Sequence, residues 1–536
     1  MEDALRPRAA CIVAAVLLLA PFALSAPTRP AAAVGAPAGG AAATPWTADS
    51  DFNGDDHDDL VAAVPDENHG KGIVQVLYGS RHGTQATRPD DQRWTEVNAG
   101  VGASKRRDIF GRAVARADFD GDGYSDLAAS TLDRVAGQRF AGSVVILYGS
   151  PHGLTVRRNR VFTANTPGVK VRPHAGDGFG NALAAGDFNG DGRNDLAIGI
   201  DGNHQAAGEV EVLYGSPSGL QTNNPDDQRW TEASPGVGGQ RRAWDEFGEA
   251  LAAGDLNADG ADDLAIGVPG ADVGDAPTGG AVRILYGSPA GLQAAGSRYL
   301  TASTDGSGTV ETTNEQLGSA LAAGDFDGDG ADDLAVGAPN RVGAPEKNFG
   351  AVDVLYGSAS GIETTRTQVW AEGLNGLGGT PRSGDRFGVE LATGDIGHGP
   401  QVDLAVGIPG AHGPRFPGSG AVAIIYGASG GLQAANAERW NESNDGTGDK
   451  QRWNDYFGIA IQVGQFGKGA KADLAIGSPG EPVKGLSHAG RIHVLYGSWR
   501  GVDPSKAQTW TQDSPGVKDR AEAYDEFSAG RSHWGL

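Results

Sequence analysis

Five short stretches of the chain carry acidic or amide side chains at alternate positions, which is the spacing of ligands for a hard cation. Counted from the first acidic residue, positions 1, 3, 5 and 9 are Asp or Asn in every stretch. The candidate ligands are Asp51, Asn53, Asp55 and Asp59; Asp118, Asp120, Asp122 and Asp126; Asp187, Asn189, Asp191 and Asp195; Asp255, Asn257, Asp259 and Asp263; and Asp325, Asp327, Asp329 and Asp333. Oxygen ligands that alternate along a tight turn converge on one centre and select a cation such as Ca²⁺. We therefore expect about five Ca²⁺ sites.

These acidic loops differ from EF-hands. An EF-hand has a bidentate Glu at position 12 and a helix on each side. Here the Asp at position 9 is followed at once by apolar, strand-like residues, as in DLAVGAP at residues 333–339. Gly at position 6 allows the sharp reversal in four of the loops, whereas Asp56 takes that position in the first. We expect Asp56 to strain the first loop or weaken its site.

Two further copies of the loop lack most of the ligand ladder. The sixth copy, DIGHGPQVD, keeps only Asp395 and Asp403, and the seventh, QFGKGAKAD, keeps only Asp473. The seventh copy also places Lys468 and Lys471 where a cation would sit. We expect neither copy to bind calcium in the ordinary way.

The acidic loops belong to a repeat of 67 to 70 residues that runs through the chain. Three other markers stay in phase with the loop, namely an LYGS-like sequence, a lone aromatic residue and an FG-like pair. The seven tyrosines of the first marker are Tyr78, Tyr148, Tyr214, Tyr286, Tyr356, Tyr426 and Tyr496; the aromatic residues are Trp94, Phe162, Trp230, Tyr299, Trp370, Trp440 and Trp510; the FG-like positions are Phe110, Phe179, Phe247, Leu317, Phe387, Phe457 and Phe527.

Each repeat reads as four short strands separated by Gly, Pro and Asp, with no sustained helical period. Seven such repeats predict an all-β, seven-bladed β-propeller. A linear solenoid is the competing architecture, but its coils are usually much shorter. The fixed phase of the Trp and Tyr positions favours packing between blades over a carbohydrate-stacking rim.

The two ends of the repeat region predict how the ring closes. No FG strand precedes the loop at Asp51, whereas an additional FG-like strand, YDEFSAG, lies at residues 524–530 after the last repeat. We expect this C-terminal strand to complete the first blade, which removes two exposed sheet edges. The segment PWTADS at residues 45–50 competes for the same strand position.

The N-terminal residues are expected to direct export. Arg6 and Arg8 precede an apolar run at residues 11–24 that is too short for a comfortable membrane span. We expect a signal peptide at residues 1–33, cleaved after Ala33, a linker rich in Ala, Pro and Gly at residues 34–44, and the propeller at residues 45–536. The only cysteine, Cys11, lies in the signal peptide, so the mature chain would form no disulfide.

Composition narrows the range of partners. The net charge of -24, without a basic cluster, argues against binding to nucleic acid or to an anionic membrane. The mature sequence has no second apolar run of spanning length. We expect a secreted, extracellular protein without a membrane span, monomeric in solution.

The combined motifs resemble the FG-GAP repeat: an FG pair, a DxDxDGxxDL loop, and endings such as VGAP at residues 336–339, IGVP at 266–269 and VGIP at 406–409. The resemblance covers about residues 45–536. It implies the seven-bladed propeller found at the N-terminus of integrin α subunits and in related bacterial secreted proteins. It also implies Ca²⁺ in the hairpin loops of one face, at the positions given above, and partners on the opposite face. The integrin stalk, membrane span and inserted adhesion domain have no counterpart here, so a role in cell adhesion carries over only weakly.

The sequence therefore favours a calcium-binding, adhesion-type module for an extracellular protein or glycan ligand. A hydrolase acting on polysaccharide or glycolipid, as in phospholipase D-type enzymes with related propellers, is the alternative, and a structural envelope protein is a third. No convincing catalytic constellation is visible. The GxSxG match at residues 427–431 lies in a turn with no helix after it, and DGSGT at 305–309 lacks the strand-and-helix setting of a metal-ion adhesion motif. An enzyme should carry unmatched polar residues in one blade, and residues 134–140 and His174 are the irregular places to look.

Overall fold

The computed structural model describes residues 50–527, except residues 88, 103–104, 224–225, 344–346, 414–415 and 468. The expected signal peptide, the linker and residues 528–530 of the expected closing strand lie outside the described residues, and the corresponding predictions stay predictions. Among the described residues, no helix has the length and apolar character of a membrane span.

Seven antiparallel sheets follow one another along the chain, which confirms the predicted all-β, seven-bladed propeller. Blades 2 to 7 have four strands, named here inner, second, third and outer in chain order, because the first strands of successive blades pack against each other around the axis. Blade 1 has the second, third and outer strands.

The strand bounds follow the repeat. Blades 1 to 4 contain Leu60–Val64, Ile73–Leu77 and Gln92–Trp94; Val114–Ala117, Asp126–Thr131, Ser143–Tyr148 and Thr155–Thr163; Leu183–Gly186, Asp195–Gly199, Val210–Leu213 and Gln228–Trp230; and Leu251–Gly254, Asp263–Val268, Ala281–Tyr286 and Gln293–Leu300. Blades 5 to 7 contain Ala320–Gly324, Asp333–Ala338, Ala351–Tyr356 and Glu363–Trp370; Leu391–Gly394, Asp403–Ile408, Ala421–Tyr426 and Gln433–Trp440; and Ala460–Gly464, Asp473–Ser478, Arg491–Tyr496 and Asp503–Trp510. A short hairpin, Val342–Gly343 with Lys347–Asn348, and two one-turn helices, Glu67–Gly70 and Asn203–Ala206, lie between strands.

Stacking of the blades determines which strands are buried. The inner, second and third strands of blade 5 are buried along their whole length, whereas its outer strand is partly exposed. Successive blades share a core: Phe326 and Val352 of blade 5 belong to one apolar cluster with Phe387 of blade 6. The turn that contains the FG-like pair, called the FG corner here, packs against a glycine that precedes the third strand of the preceding blade. A Cβ on Gly350 would lie 2.4 Å from the carbonyl oxygen of Phe387, so only glycine fits at this contact.

A ring of backbone hydrogen bonds joins the acidic loops and closes the propeller. In each blade the N–H at loop position 8 donates to the carbonyl oxygen at position 1 of the preceding blade. The seven bonds are Ser125 to Asp51 (3.0 Å), Asn194 to Asp118 (3.1 Å), Asp262 to Asp187 (2.9 Å), Asp332 to Asp255 (2.9 Å), Val402 to Asp325 (3.0 Å), Ala472 to Asp395 (2.7 Å) and Asp58 to Gln465 (2.8 Å). The last bond connects blade 7 to blade 1.

Both ends of the chain contribute to this seam. Phe527 is fully buried in a cluster with Leu60 and Ala62 of blade 1, and its N–H donates to the carbonyl oxygen of Ala489 at 3.1 Å. On the other side, the carbonyl oxygen of Ser50 accepts the N–H of Asp59 at 3.0 Å, as expected for the last residue of an inner strand. The C-terminal segment thus supplies the FG corner of blade 1, and the N-terminal segment supplies the end of the inner-strand position.

Strand register corrects one of the sequence markers. The third strand pairs Val352 with Trp370 in blade 5 and Val422 with Trp440 in blade 6, but in blade 4 the equivalent residue, Val282, pairs with Leu300. Tyr299 therefore does not continue the aromatic series. Because neighbouring residues of a strand face opposite sides of the sheet, Tyr299 points away from the face that the other aromatic residues occupy.

Candidate functional site

Each acidic loop curls around its first carboxylate. In the fifth loop, Asp325 Oδ1 accepts the N–H groups of Gly328 (2.6 Å) and Asp329 (3.1 Å), and Oδ2 accepts that of Gly330 (3.1 Å). The other four complete loops repeat hydrogen bonds to the position-1 carboxylate from the N–H groups of positions 5 and 6. This arrangement turns the alternate side chains toward one side of the loop.

The aspartate at position 9 has a structural role that the sequence did not reveal. Asp333 Oδ2 accepts the N–H of Phe326 at 2.8 Å, and its Oδ1 accepts the N–H of Gly357, which follows the third-strand tyrosine, at 2.8 Å. The bond to that glycine recurs in all seven blades. Position 9 therefore connects the loop to a second turn of its own blade, which explains why the acid at this position is present in both the sixth and the seventh copy.

Carboxylate oxygens converge most closely in the second and fifth loops. Oxygens of Asp118, Asp120 and Asp122 lie within 4.8 Å of one another, and so do those of Asp325, Asp327 and Asp333. Within the described residues, the loops with Asn at position 3 show no such group of three acids, since an amide takes the place of one of them. Asp120 Oδ1 is buried and accepts no hydrogen bond from the described residues, which fits a donor set made for a cation.

An arginine accompanies the additional acid of these two loops. Arg158 Nη2 lies 2.5 Å from Asp120 Oδ2, and Arg366 Nη2 lies 2.8 Å from Asp327 Oδ2. Both arginines come from the outer strand of the same blade. A loop with Asp at position 3 thereby recovers the net charge of a loop with Asn at that position.

A lysine occupies the sixth loop. Lys471 was expected to fill the site of its own, seventh copy, but its Nζ lies 2.5 and 2.6 Å from the two carboxylate oxygens of Asp395 in the sixth. Nζ also donates to the carbonyl oxygen of Gly399, and the side chain is only 1% exposed. An ammonium group from the next blade thus stands where the sixth loop would otherwise hold a cation. Lys468 lies outside the described residues.

The opposite face of the propeller carries a second set of acids. A glutamate that follows the outer strand of one blade faces the aspartate two residues before the FG phenylalanine of the next, as in the pair Glu232 and Asp245. Burial raises the pKa of Glu96 to about 7, that of Glu372 to about 7 and that of Glu232 to about 8. Each of these pairs therefore retains a proton near neutral pH.

The most crowded acidic group of this face lies between blades 6 and 7. Oxygens of Glu442, Asp455 and Glu481 lie within 4.8 Å of one another and are buried. Arg452 Nη1 pairs with Glu481, so a cationic side chain already accompanies the cluster. A second group, Glu67, Glu522 and Asp525, lies at the seam between blades 7 and 1.

The segments that could have belonged to a catalytic site lie in turns and loops. Ser429 of the GxSxG match is exposed in the turn between two strands of blade 6, with no helix after it. Ser307 of DGSGT donates its N–H to Asp305 Oδ1 at 2.8 Å within a loop. The turn at residues 134–140 is built on a Val135–Gln138 bridge that recurs at Val273–Ala276 and Val483–Leu486, so it is not an insertion.

One variable position escaped the sequence analysis. Three residues before each third-strand tyrosine, the seven blades carry Gln75, Val145, Glu211, Arg283, Asp353, Ala423 and His493. The residues directly before and after this position are apolar in every copy, so a polar residue here was a visible irregularity. In blade 4 this residue, Arg283, lines a space together with the acid pair Glu232 and Asp245.

The fold and the loops agree with the comparison to known proteins. The FG-GAP repeat family matches four stretches of the chain, residues 110–147, 179–213, 247–285 and 317–355. The chain is therefore a β-propeller that contains FG-GAP repeats and is similar in sequence to integrin α chains.

Three relatives illustrate this similarity. The chain is 33% identical over 246 residues to integrin alpha pat-2 of Caenorhabditis briggsae, which covers 43% of this chain and 18% of the relative. It is 35% identical over 182 residues to phosphatidylinositol-glycan-specific phospholipase D of Rattus norvegicus (33% of this chain, 20% of the relative). It is 32% identical over 267 residues to integrin alpha-PS2 of Drosophila melanogaster (47% of this chain, 16% of the relative). The chain thus spans a fifth or less of the length of these relatives.

Proposed function

We propose that the protein is a secreted, calcium-stabilised binding module. It binds an extracellular protein or glycan ligand through the face opposite its acidic loops. The observation that carries this proposal is the set of five in-phase acidic loops, each curled around its position-1 aspartate. Similarity to integrin α chains, and the absence of a spanning helix among the described residues, support it.

In this proposal Ca²⁺ is held at positions 1, 3 and 5 of the five complete loops, with position 9 contributing an oxygen while it keeps its two backbone hydrogen bonds. The bound ion would cross-link the connection between the inner and second strands and offset the clustered negative charge. Such a cross-link suits a mature chain without cysteine.

The test is thermal unfolding of the chain from residue 34 onward, in Ca²⁺ and in a chelator. We expect Ca²⁺ to raise the melting temperature, and a calcium titration to count about five sites. Replacing Asp325 and Asp327 by Asn should remove one site, whereas Asp395→Asn should leave the number of sites unchanged. Identical melting curves in Ca²⁺ and in chelator would contradict the proposal.

A hydrolase module is the second candidate, because the chain is also similar to phosphatidylinositol-glycan-specific phospholipase D. A matrix-protein and glycan binding screen run beside a hydrolase panel separates the two. Saturable binding without turnover supports the binding module, and turnover of a polysaccharide or glycolipid supports the hydrolase.

A further inference from the structure

A cavity of about 460 Å³ opens between blades 3 and 4 on the face opposite the acidic loops. Side chains of Glu232, Asp245, Arg283 and Tyr299 line it, together with backbone of glycine-rich turns. Its volume lies in the range of about 300–1,000 Å³ that is usual for small-molecule sites. Arg283 is the variable third-strand residue of blade 4, and Tyr299 is the residue that does not continue the aromatic series.

Arg283 brings hydrogen-bond donors that the protein does not satisfy. The residue is 5% exposed, and its buried Nε has no hydrogen-bond partner among the described residues. The nearest carboxylate oxygen, Glu232 Oε1, is 3.9 Å from Nη2, which is too long for a hydrogen bond. The guanidinium carbon instead lies 4.3 Å from the centre of the Tyr299 ring. A buried guanidinium without acceptors is costly, so these N–H groups point to a ligand with oxygen acceptors.

In three other blades the corresponding side chain has at least one hydrogen-bond partner within the chain. Gln75 donates to Asp91, Glu211 Oε1 accepts the N–H of Lys170 at 3.1 Å, and Asp353 Oδ2 accepts from Arg341 Nη2 at 2.5 Å. These blades use the variable position to complete a polar network between strands. Blade 4 leaves the same position open toward the cavity.

The other side of the cavity offers acceptors. Glu232 and Asp245 form one of the buried acid pairs and are hydrogen-bonded to each other, and Asp245 Oδ2 also accepts the N–H of Arg242 at 3.2 Å. Tyr299 is 38% exposed, whereas Trp370 of the aromatic series is 2% exposed, so the Tyr299 ring is available for contact. Donors, acceptors and an aromatic ring therefore surround one space.

This combination selects for hydroxyl groups over charged groups. A hydroxyl accepts from Arg283 and donates to a carboxylate, so one polyol satisfies both walls. The acids Asp245 and Asp272 accompany Arg242 and Arg283 around the cavity, and the chain carries a net charge of -24, which disfavours entry of an anion. We propose that this cavity binds a neutral sugar residue of a glycan, with Arg283 as the donor, the Glu232 and Asp245 pair as acceptors and Tyr299 as the contacting ring. The inference rests on the proposed function as a binding module and specifies its ligand.

The test measures binding of sugars to the calcium-loaded chain by titration calorimetry and saturation-transfer NMR. The probes are glucose, galactose, mannose, N-acetylglucosamine and their neutral disaccharides, with galacturonate and inorganic phosphate as anionic counterparts. We expect saturable binding of at least one neutral sugar, and a loss of tenfold or more in Arg283→Gln and in Tyr299→Val. Arg298→Gln is the matched control, because Arg298 precedes Tyr299 on the outer strand of blade 4 and faces the other side of the sheet. This variant should bind sugar as the parent does.

Three outcomes would overturn the inference: no neutral sugar binds, Arg283→Gln binds as tightly as the parent, or galacturonate or phosphate binds more tightly than every neutral sugar. Melting curves show that each variant is folded, and Tyr299→Val provides a second variant if Arg283→Gln is unstable. These outcomes can be distinguished from failure of the proposed function. If the chain binds a protein ligand but no sugar, this inference is wrong and the proposed binding function stands. If calcium does not stabilise the chain, only the proposed role of calcium is wrong.

Discussion

A single residue, Lys471, places a positive charge in the sixth loop. Lys471 reaches from blade 7 into the sixth loop, where its Nζ contacts both oxygens of Asp395 and lies 4.1 Å from the centre of the Trp499 ring. A buried ammonium paired in this way supplies a positive charge at a fixed place, as a bound cation would. The sixth blade thus keeps its loop geometry without a ligand ladder.

We predict that Lys471→Met lowers the stability of the propeller strongly, with or without calcium. Removing one partner leaves the other charge buried and unpaired, which costs about 3–5 kcal/mol. The control is Lys484→Met, because Lys484 pairs with Asp513 at 2.9 Å but is 72% exposed, and such pairs contribute about 0–1 kcal/mol. Denaturant unfolding of both variants measures the difference, and equal effects would contradict the buried role of Lys471.

The acid pairs of the opposite face predict a pH dependence. The pKa of Glu96 is raised to about 7, so the folded chain holds a proton that the unfolded chain releases above its ordinary pKa of 4.5. Stability from this proton is complete below the unfolded pKa and is lost as the pH rises through 7. In saturating Ca²⁺, we therefore expect this contribution to lower the melting temperature between about pH 5 and about pH 7 and to level off above that range.

The variant Glu96→Gln separates this effect from other titrations. Its amide carries a permanent donor, as Gln512 does at the equivalent position of blade 7, where its Nε2 donates to Glu67 at 2.7 Å. The pH slope should become shallower by one proton, about 1.4 kcal/mol per pH unit in the affected range. Asp275→Asn, at an exposed position, is the control. A slope of Glu96→Gln equal to that of the parent would contradict the shared proton.

At the scale of the element, each acidic loop behaves as a charge-balanced unit. The second and fifth loops carry an additional aspartate at position 3, and an arginine of the outer strand contacts it in both. The arginine competes with any cation for the same carboxylate. We therefore expect the arginine to lower the affinity of the loop for calcium.

We predict that Arg158→Gln raises the calcium affinity of the second loop about fivefold, the equivalent of about 1 kcal/mol for a partly exposed pair. Tyr124 lies at position 7 of this loop, with its N–H 3.1 Å from Asp122 Oδ1, so it can sensitise the luminescence of bound Tb³⁺. Displacement of Tb³⁺ by Ca²⁺ measures the affinity. Arg157→Gln removes the adjacent exposed arginine and should change nothing. Unchanged or weaker calcium binding in Arg158→Gln would refute the competition.

The strands and loops also show which features of the structure can be predicted from the sequence. The four-stranded repeat and the loop positions could be predicted because each is local and recurs in phase. Contacts between repeats could not, since nothing near Lys471 in the sequence indicates Asp395. The misplaced Tyr299 had a warning in its spacing: it lies 13 residues after Tyr286, whereas Phe162, Trp370, Trp440 and Trp510 lie 14 after their tyrosines.

At the scale of the whole molecule, stability depends on a closed ring. The hydrogen bond from Asp58 to Gln465 continues the series of loop-to-loop bonds across the seam. The backbone N–H of Thr84 in blade 1 also donates to the hydroxyl oxygen of Tyr496 in blade 7 at 3.0 Å. Closure removes exposed sheet edges, which an open array would present at both ends. Phe527 is the last described residue and is fully buried at this seam.

We predict that Phe527→Ala destabilises the propeller as much as Phe457→Ala does, by about 3–5 kcal/mol. Both phenylalanines are fully buried at FG corners, against Gly490 and Gly420 respectively, but only Phe527 lies near the C-terminus. In an open array a terminal corner would fray, and its truncation would cost little. Equal losses in denaturant unfolding therefore indicate a closed ring, whereas a Phe527→Ala variant as stable as the parent would show that the seam contributes nothing to the fold.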